Sequence, residues 1–390
     1  MRLIYVYNSA LILSLFPWIS FGILEGGIQP FYMLLMIVAI FAYILSSERI
    51  SGGYFLFFLP ILFMLFNSFS SEISHFEFLR EVVGYFSMAM SFVFFQQYIK
   101  LFGFPKKIIQ YSIIISLSAG VFQVVIGEQI FEYIVHARTT GGRGVTGFTS
   151  EPGFYGMHLS LLVSLLLLSS KEKFFKPILM LFAASGLFLS ASIVAAYFYF
   201  TFVGAVVILK NKISFKVGLI LLSIGFLGFF FILADLRFGE IVSLFLKSGF
   251  EGLYNQDSSA NARISQILTP FILSYYNDFL PATDSVISQI GVTGEEDGIY
   301  NFLSSDNKIG SYIGRMVFHF GFLFLVPLVS FLFYLLLYSS NRQILAIFLI
   351  ILALLPAISP GYPVVIYFLV YFIHCYPRHT SSVKESKANG

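Results

Sequence analysis

Apolar runs long enough to cross a bilayer, with no polar stripe along them, constrain this chain more than any motif does. Stretches such as 108–126 and 159–168 offer no face to water, so the medium around them is expected to be lipid. Of 390 residues, 58% are hydrophobic and 11% charged. A water-soluble domain is about a quarter charged and cannot hide that much apolar surface. The sequence therefore predicts an all-α polytopic membrane protein, a single membrane domain over 1–390.

Spans are predicted near 3–24, 28–45, 54–69, 79–99, 107–127, 153–168, 213–234, 312–337, 344–358 and 362–376. The stretch 178–209 is too long for one crossing, at roughly 48 Å of helix against a hydrocarbon core of roughly 30 Å. Basic residues flank it on both sides (Lys171, Lys173, Lys176; Lys210, Lys212), which a single crossing would put on opposite sides of the membrane. It is read as a hairpin turning near Ser185-Gly186 or Ser190-Ala191-Ser192, which brings the total to about twelve transmembrane helices. With both termini in the cytoplasm, the inner segments hold 15 of the 23 basic residues and three of the 20 acidic ones, the positive-inside bias. The start of the chain lacks a basic region and a small-residue cleavage site, so its first apolar stretch is expected to stay as an anchor.

No assigned midplane carries an ionisable residue, whereas pumps and ion-coupled carriers keep carboxylates or histidines there. Polar residues gather instead in two outer loops, 128–152 and 235–311, and in a short cytoplasmic tail, 377–390, expected to be disordered. The larger loops are net acidic, so the lipid bilayer and not nucleic acid is the expected partner. Cys375 is the only cysteine, which excludes an internal disulfide and a Cys-based metal site. Glu295-Glu296-Asp297 reads as a solvated turn, because three consecutive side chains cannot converge on one ion. No metal or cofactor is expected.

The first outer loop holds the informative segment. Glycines at 141, 142, 144 and 147 would let backbone N–H groups approach a ligand closely. Arg143 supplies a planar fork that suits phosphate oxygens. Glu151-Pro152 marks a helix start, with the carboxylate at the positive end of the helix dipole. The plainer reading is a flexible glycine-rich loop and a helix cap. The segment is not a P-loop, since no Gly-Lys-Ser/Thr follows.

The run 143–156, with Arg143, Gly147, Phe148, Glu151-Pro152 and the glycines after it, resembles the signature of bacterial O-antigen polymerases of the Wzy type. These belong to a wider group with the O-antigen ligases. The order of parts is also similar: about twelve spans, a signature loop, a hairpin with Ser190-Ala191-Ser192, then a long outer loop in which Asn261-Ala262-Arg263-Ile264 resembles the second arginine. His319-Phe320-Gly321-Phe322 resembles the stretch leading into the next span. Ligases typically carry a catalytic histidine in the long loop, and 235–311 contains none.

The resemblance implies a glycosyltransferase of the bacterial inner membrane, with two functional periplasmic loops, that polymerises undecaprenyl-diphosphate-linked oligosaccharides. A flippase and a chain-length regulator would be further partners. Arg143 and Arg263 would stabilise the diphosphate leaving group. Glu151 would act as general base, or instead pair Arg143 and cap the helix. Arg138, Gly147, His158, Arg315 and Arg80 are candidate substrate contacts. Against these stand plainer roles: a hydrogen-bonded packing histidine at 158, and arginines at 80 and 315 that snorkel to the interface. Rival functions are the ligase and a flippase or exporter of the lipid-linked unit.

The topology has a direct check. In a Cys375→Ser background, Ser258→Cys should react with a membrane-impermeant thiol reagent from outside and Lys173→Cys should not; the opposite pattern would discard the twelve-span reading.

Overall fold

The computed structural model describes residues 3–20, 29, 31–45, 75–135, 144–169, 175–190, 192–210, 247, 268–281, 312–324, 326, 329–330, 341–354 and 361–375. They form helices and turns, and no strand occurs among them. In chain order the helices are α1 (Leu3–Leu15), α2 (Phe31–Leu45), α3 (His75–Phe102), α4 (Lys106–Ile126), α5 (Pro152–Ser169), α6 (Phe175–Ser190), α7 (Ile193–Phe198), α8 (Gly204–Lys210), α9 (Tyr312–Phe320), α10 (Asn341–Ala353) and α11 (Pro363–Cys375). A π-helical turn, Tyr199–Val203, joins α7 to α8. Among the described residues, three helical stretches, Val82–Phe102, Lys106–Ile126 and Pro152–Ser169, are long and apolar enough to cross a membrane.

Two of these stretches treat their surroundings in opposite ways. On α4 the buried positions are Ile109, Ser112, Ile113, Ser116, Ala119, Gly120 and Gln123, a helical stripe that holds Ser112, Ser116 and Gln123 and both small residues, Ala119 and Gly120. Its exposed face is Tyr111, Ile114, Ile115, Phe122 and Val125, an apolar outside that a lipid solvent accepts and water does not. On α2, Leu34, Val38, Phe41 and Leu45 make the same kind of outward stripe. Helix α5 is different: 83% of its 18 residues are buried, against 39% of an 18-residue stretch of α4, and every side chain from Tyr155 to Leu168 is enclosed. The expectation of lipid around 159–168 is corrected here. Its neighbours are α4, α6, α7, the π-turn, α8 and α11; protein fills the place assigned to lipid.

Small residues let those neighbours close in. A side chain at Gly156 would collide with Ala195 of α7, and one at Gly186 of α6 would collide with Leu159. Gly156, Ser160 and Ser164 follow one another at four-residue spacing, the small-residue pattern by which helices approach in lipid. Buried interhelical hydrogen bonds add direction: Tyr7 Oη–H to Gln97 Oε1 at 2.9 Å, Tyr367 Oη–H to Ser14 Oγ at 2.6 Å, and Tyr32 Oη–H to the Gly361 carbonyl at 2.7 Å.

The expected long stretch 178–209 is indeed broken, and the break lies at Ser190–Ser192; Ser185-Gly186 is inside α6. The return segment packs on α5 and reaches α6 again through the π-turn, so the chain folds back. One predicted helix ends early and another is interrupted. The first helix stops at Leu15 and not near residue 24, because Pro17 follows in a turn and cannot continue the ladder. The helix predicted over 312–337 is interrupted after Phe320 by a 3-10 turn, Gly321–Phe324, beyond which residues 326, 329 and 330 are helical again. Gly321 there has φ +63° and lies against the carbonyl of Phe279, which accepts the N–H of Phe322 at 3.0 Å. The segment read as loop over 235–311 contains helical residues 268–276, and its end docks on that glycine through the Phe279–Phe322 ring pair at 5.1 Å. The predicted spans 54–69 and 213–234, and the tail 377–390, lie outside the described residues.

Gly156→Val should destabilise the protein by about 2 kcal/mol, since a side chain there would overlap Ala195 and crowd Ser190 Oγ. Thermal unfolding in detergent measures it.

Candidate functional site

The segment before α5 is held by one amide. Gln123, 2% exposed on α4, accepts the N–H of Thr146 at 3.0 Å and that of Gly147 at 2.6 Å on Oε1, and donates from Nε2 to Thr146 Oγ1 at 3.0 Å. Thr149 closes the turn: its N–H and hydroxyl both donate to the Thr146 carbonyl, and the hydroxyl also reaches the Glu151 carbonyl at 2.9 Å. The Glu151 carbonyl takes the first helical hydrogen bond, from Tyr155 N–H at 3.1 Å. Glu151 therefore stands at the N-cap of α5 with its side chain half-buried, at the end where the helix dipole favours a carboxylate.

The glycines of this loop answer to protein neighbours. Gly144 has φ +89° and presses against the carbonyls of Leu189 and Ser190; Gly147 has φ +54° and lies under the ring of Tyr155. Val145 N–H donates to the Leu189 carbonyl at 3.0 Å, which satisfies a carbonyl that the end of α6 leaves open. The N–H of Gly147, one of the predicted ligand donors, is held by Gln123. The loop thus sits on the Ser190–Ser192 turn, with Gly153 beside Ser192 Oγ and Gly156 beside Ser190 Oγ. Two motifs about forty residues apart in the sequence meet at one place.

Beneath the loop lies an aromatic cluster. Phe148 packs on Phe131 at 4.7 Å and on Phe16 at 5.9 Å. Trp18 stacks on Phe154 at 5.9 Å and leans on Tyr362 at 4.8 Å. His158 is 2% exposed among these rings, and its Nδ1 is 2.6 Å from the Tyr362 hydroxyl. The packing role read for this histidine is therefore filled on one side of its ring; the other nitrogen, Nε2, has no hydrogen-bond partner among the described residues.

Arg143, Arg138 and Arg263 lie outside the described residues; Arg80 lies on α3 with its side chain outside them. Arg315 is half-buried on α9, one turn before His319, whose Nδ1 is 3.0 Å from the hydroxyl of Tyr85 on α3. Tyr85 is five residues after Arg80, so α9 docks on the helix that carries that arginine. Among the described residues no group of His, Cys, Asp and Glu is placed to hold a metal ion.

Gln123, Trp18 and Tyr362 shape the site and were not singled out as candidates from the sequence. Gln123 had a signal, a long polar side chain in an apolar span. Tyr362 had none, since its contact with His158 crosses 204 residues. In comparisons with known proteins, no family model, no curated protein and no solved structure matches this chain.

Gln123→Leu would leave two buried N–H groups without an acceptor, a cost of about 3 kcal/mol. The expected result is a lower melting temperature and faster proteolysis within 144–150.

Proposed function

We propose that this protein is a periplasmic-face polysaccharide polymerase of the bacterial inner membrane, joining undecaprenyl-diphosphate-linked oligosaccharide repeat units into O-antigen or a related surface polymer. The observation that carries the reading is the run 143–156, where Arg143, a turn built on Gly144 and Gly147, and Glu151 at a helix start follow one another. The charge distribution supports twelve spans with both termini cytoplasmic, which puts this run and the 235–311 loop outside.

In this reaction the growing glycan leaves its lipid diphosphate and passes to a hydroxyl at the non-reducing end of a new lipid-linked unit. The bond between the anomeric carbon and the phosphate oxygen breaks, a glycosidic bond forms, and the hydroxyl proton goes to the base. The diphosphate departs with its lipid, carrying the negative charge that develops. Arg143 and Arg263 are assigned to that charge, because a guanidinium stays protonated and binds two oxygens at once. Glu151 is assigned to the proton: its half-buried position at the N-cap of α5 leaves the side chain at the edge of the bundle. Arg138, Arg315 and Arg80 are secondary contacts for lipid phosphate; Gly147 serves by shaping the turn. A flippase that delivers the units and a chain-length regulator are the partners such a reaction calls for.

Purified protein given lipid-linked repeat units and no nucleotide sugar should produce a ladder. Arg143→Ala and Arg263→Ala, each folded and expressed normally, should lower the rate by about 10²–10³-fold. Wild-type chain lengths from both variants would overturn the polymerase. A blank from the wild-type protein with verified substrate would favour transport, and transfer of whole glycan to a separate lipid acceptor would favour ligation.

A further inference from the structure

The helical residues 268–276 and the turn 277–281 after them have the reverse of the polarity that water selects. Thr269, Leu273 and Ser274 are buried, whereas Tyr275 and Tyr276 are 62% exposed and Leu268, Phe279 and Leu280 50%. A surface helix in water turns its apolar stripe inward and its polar residues out. This one hides two hydroxyls and presents leucine and aromatic rings.

The turn also answers its own polar groups. The Ser274 hydroxyl donates to the Leu280 carbonyl at 2.8 Å, and the Asn277 amide to the Pro281 carbonyl at 2.6 Å. The N–H groups of Asn277, Phe279 and Leu280 donate to the carbonyls of Leu273, Ser274 and Asn277. Phe279 has φ +65°, a conformation in which a bulky side chain is an outlier; its ring is held between Phe322 at 5.1 Å and Tyr275 at 5.7 Å. A helix end in water can leave its last carbonyls to solvent, whereas one at the edge of hydrocarbon has to satisfy them itself.

Contacts with the predicted span 312–337 fix the height of the turn. The Phe279 carbonyl accepts from Phe322 N–H and the two rings pack together, so the turn lies level with Gly321–Phe322. On one side of that level α9 carries Arg315 and His319, both half-buried, groups that belong at or above the headgroups. On the other side follow Val326 and Val329, 62% and 58% exposed. A helix from Gly321 to the predicted end at 337 would rise roughly 24 Å, close to a hydrocarbon thickness of roughly 30 Å. Gly321 therefore marks the boundary between headgroups and acyl chains.

We propose that 268–281 is an interfacial segment seated on the bilayer, with Leu268, Tyr275, Tyr276, Phe279 and Leu280 in contact with lipid, so that the end of the loop 235–311 nearest α9 is tied to the membrane surface. Tyrosine suits this level, its ring apolar and its hydroxyl wet, and the exposed Asp278 keeps the turn among the headgroups. Aromatic rings also stack on sugars. Leucines at both ends of the row offer a sugar nothing directional, however, and the apolar surface resumes at Val326 and Val329.

Nitroxide labels test the depth. In Cys375→Ser protein in phosphatidylethanolamine–phosphatidylglycerol vesicles, labels at Tyr276→Cys and Leu280→Cys should collide with oxygen in preference to a water-soluble nickel complex. The preference should be about tenfold greater than for labels at Ser258→Cys and Lys173→Cys. Equal ratios at all four positions would overturn the proposal: protection of 276 by added lipid-linked oligosaccharide would then give the face to glycan, and spin–spin broadening between singly labelled molecules would give it to a second copy. Where a label unfolds the protein, Tyr276→Trp replaces it; brominated phospholipid should quench the fluorescence it adds to that of Trp18, and an unquenched signal overturns the proposal. The quantity read is depth and neither side nor catalysis, so a failed polymerase assay leaves it standing.

Discussion

Helix α5 has no side on which it can meet a polar solvent, and its neighbours leave it almost no side to meet lipid either. Lipid and protein interior are about equally apolar, so the hydrophobic effect gives little reason to prefer one over the other. What decides is fit. Gly156, Ser160 and Ser164 lower one flank of the helix, and α7 comes down on it until Ala195 meets Gly156. The hairpin of α6 and the following segment is drawn onto the same pillar by Gly186 and Leu159. A bulkier residue at any of these points would push the hairpin away, and with it the Ser190–Ser192 turn on which the glycine-rich loop rests.

The polar groups inside the bundle then fix what packing alone would leave loose. Gln123 binds two successive N–H groups of the loop through one oxygen, which sets both the height and the rotation of the turn entering α5. Tyr155 enforces the same arrangement from below, its ring under Gly147 and its hydroxyl on the Ser116 carbonyl at 3.1 Å. In this way Glu151 is held at a helix N-terminus by contacts from α4 and α6. The backbone position of that carboxylate is thus set by contacts within the protein.

Much of this was legible in advance. The start of α5 at Pro152 follows from Glu151-Pro152 and the apolar run after it, and the fold-back between α6 and α7 follows from basic flanks on both sides of an over-long stretch. Less legible were the stop at Leu15 and the break after Phe320. Pro17 and Gly321 are breakers, but a single proline or glycine in an apolar span is often carried through, and the break at Gly321 goes with the Phe279 carbonyl seated against it. The glycines at 144 and 147 were read as openings for a ligand; both instead admit protein atoms, because the left-handed backbone that bares an N–H to solvent bares it equally to Gln123.

By itself the sequence determined the solvent, the helical class and the local places where backbone must turn, because hydropathy and the conformational limits of proline and glycine act over a few residues. Only the tertiary structure decided which apolar helix faces lipid and which is enclosed, since the two media look alike to a hydrophobic side chain. It also decided which polar atoms are answered. Gln123 finds its loop 23 residues away and His158 finds Tyr362 across 204, and a hydrogen bond, being short and directional, cannot be read until the chain has brought both ends together.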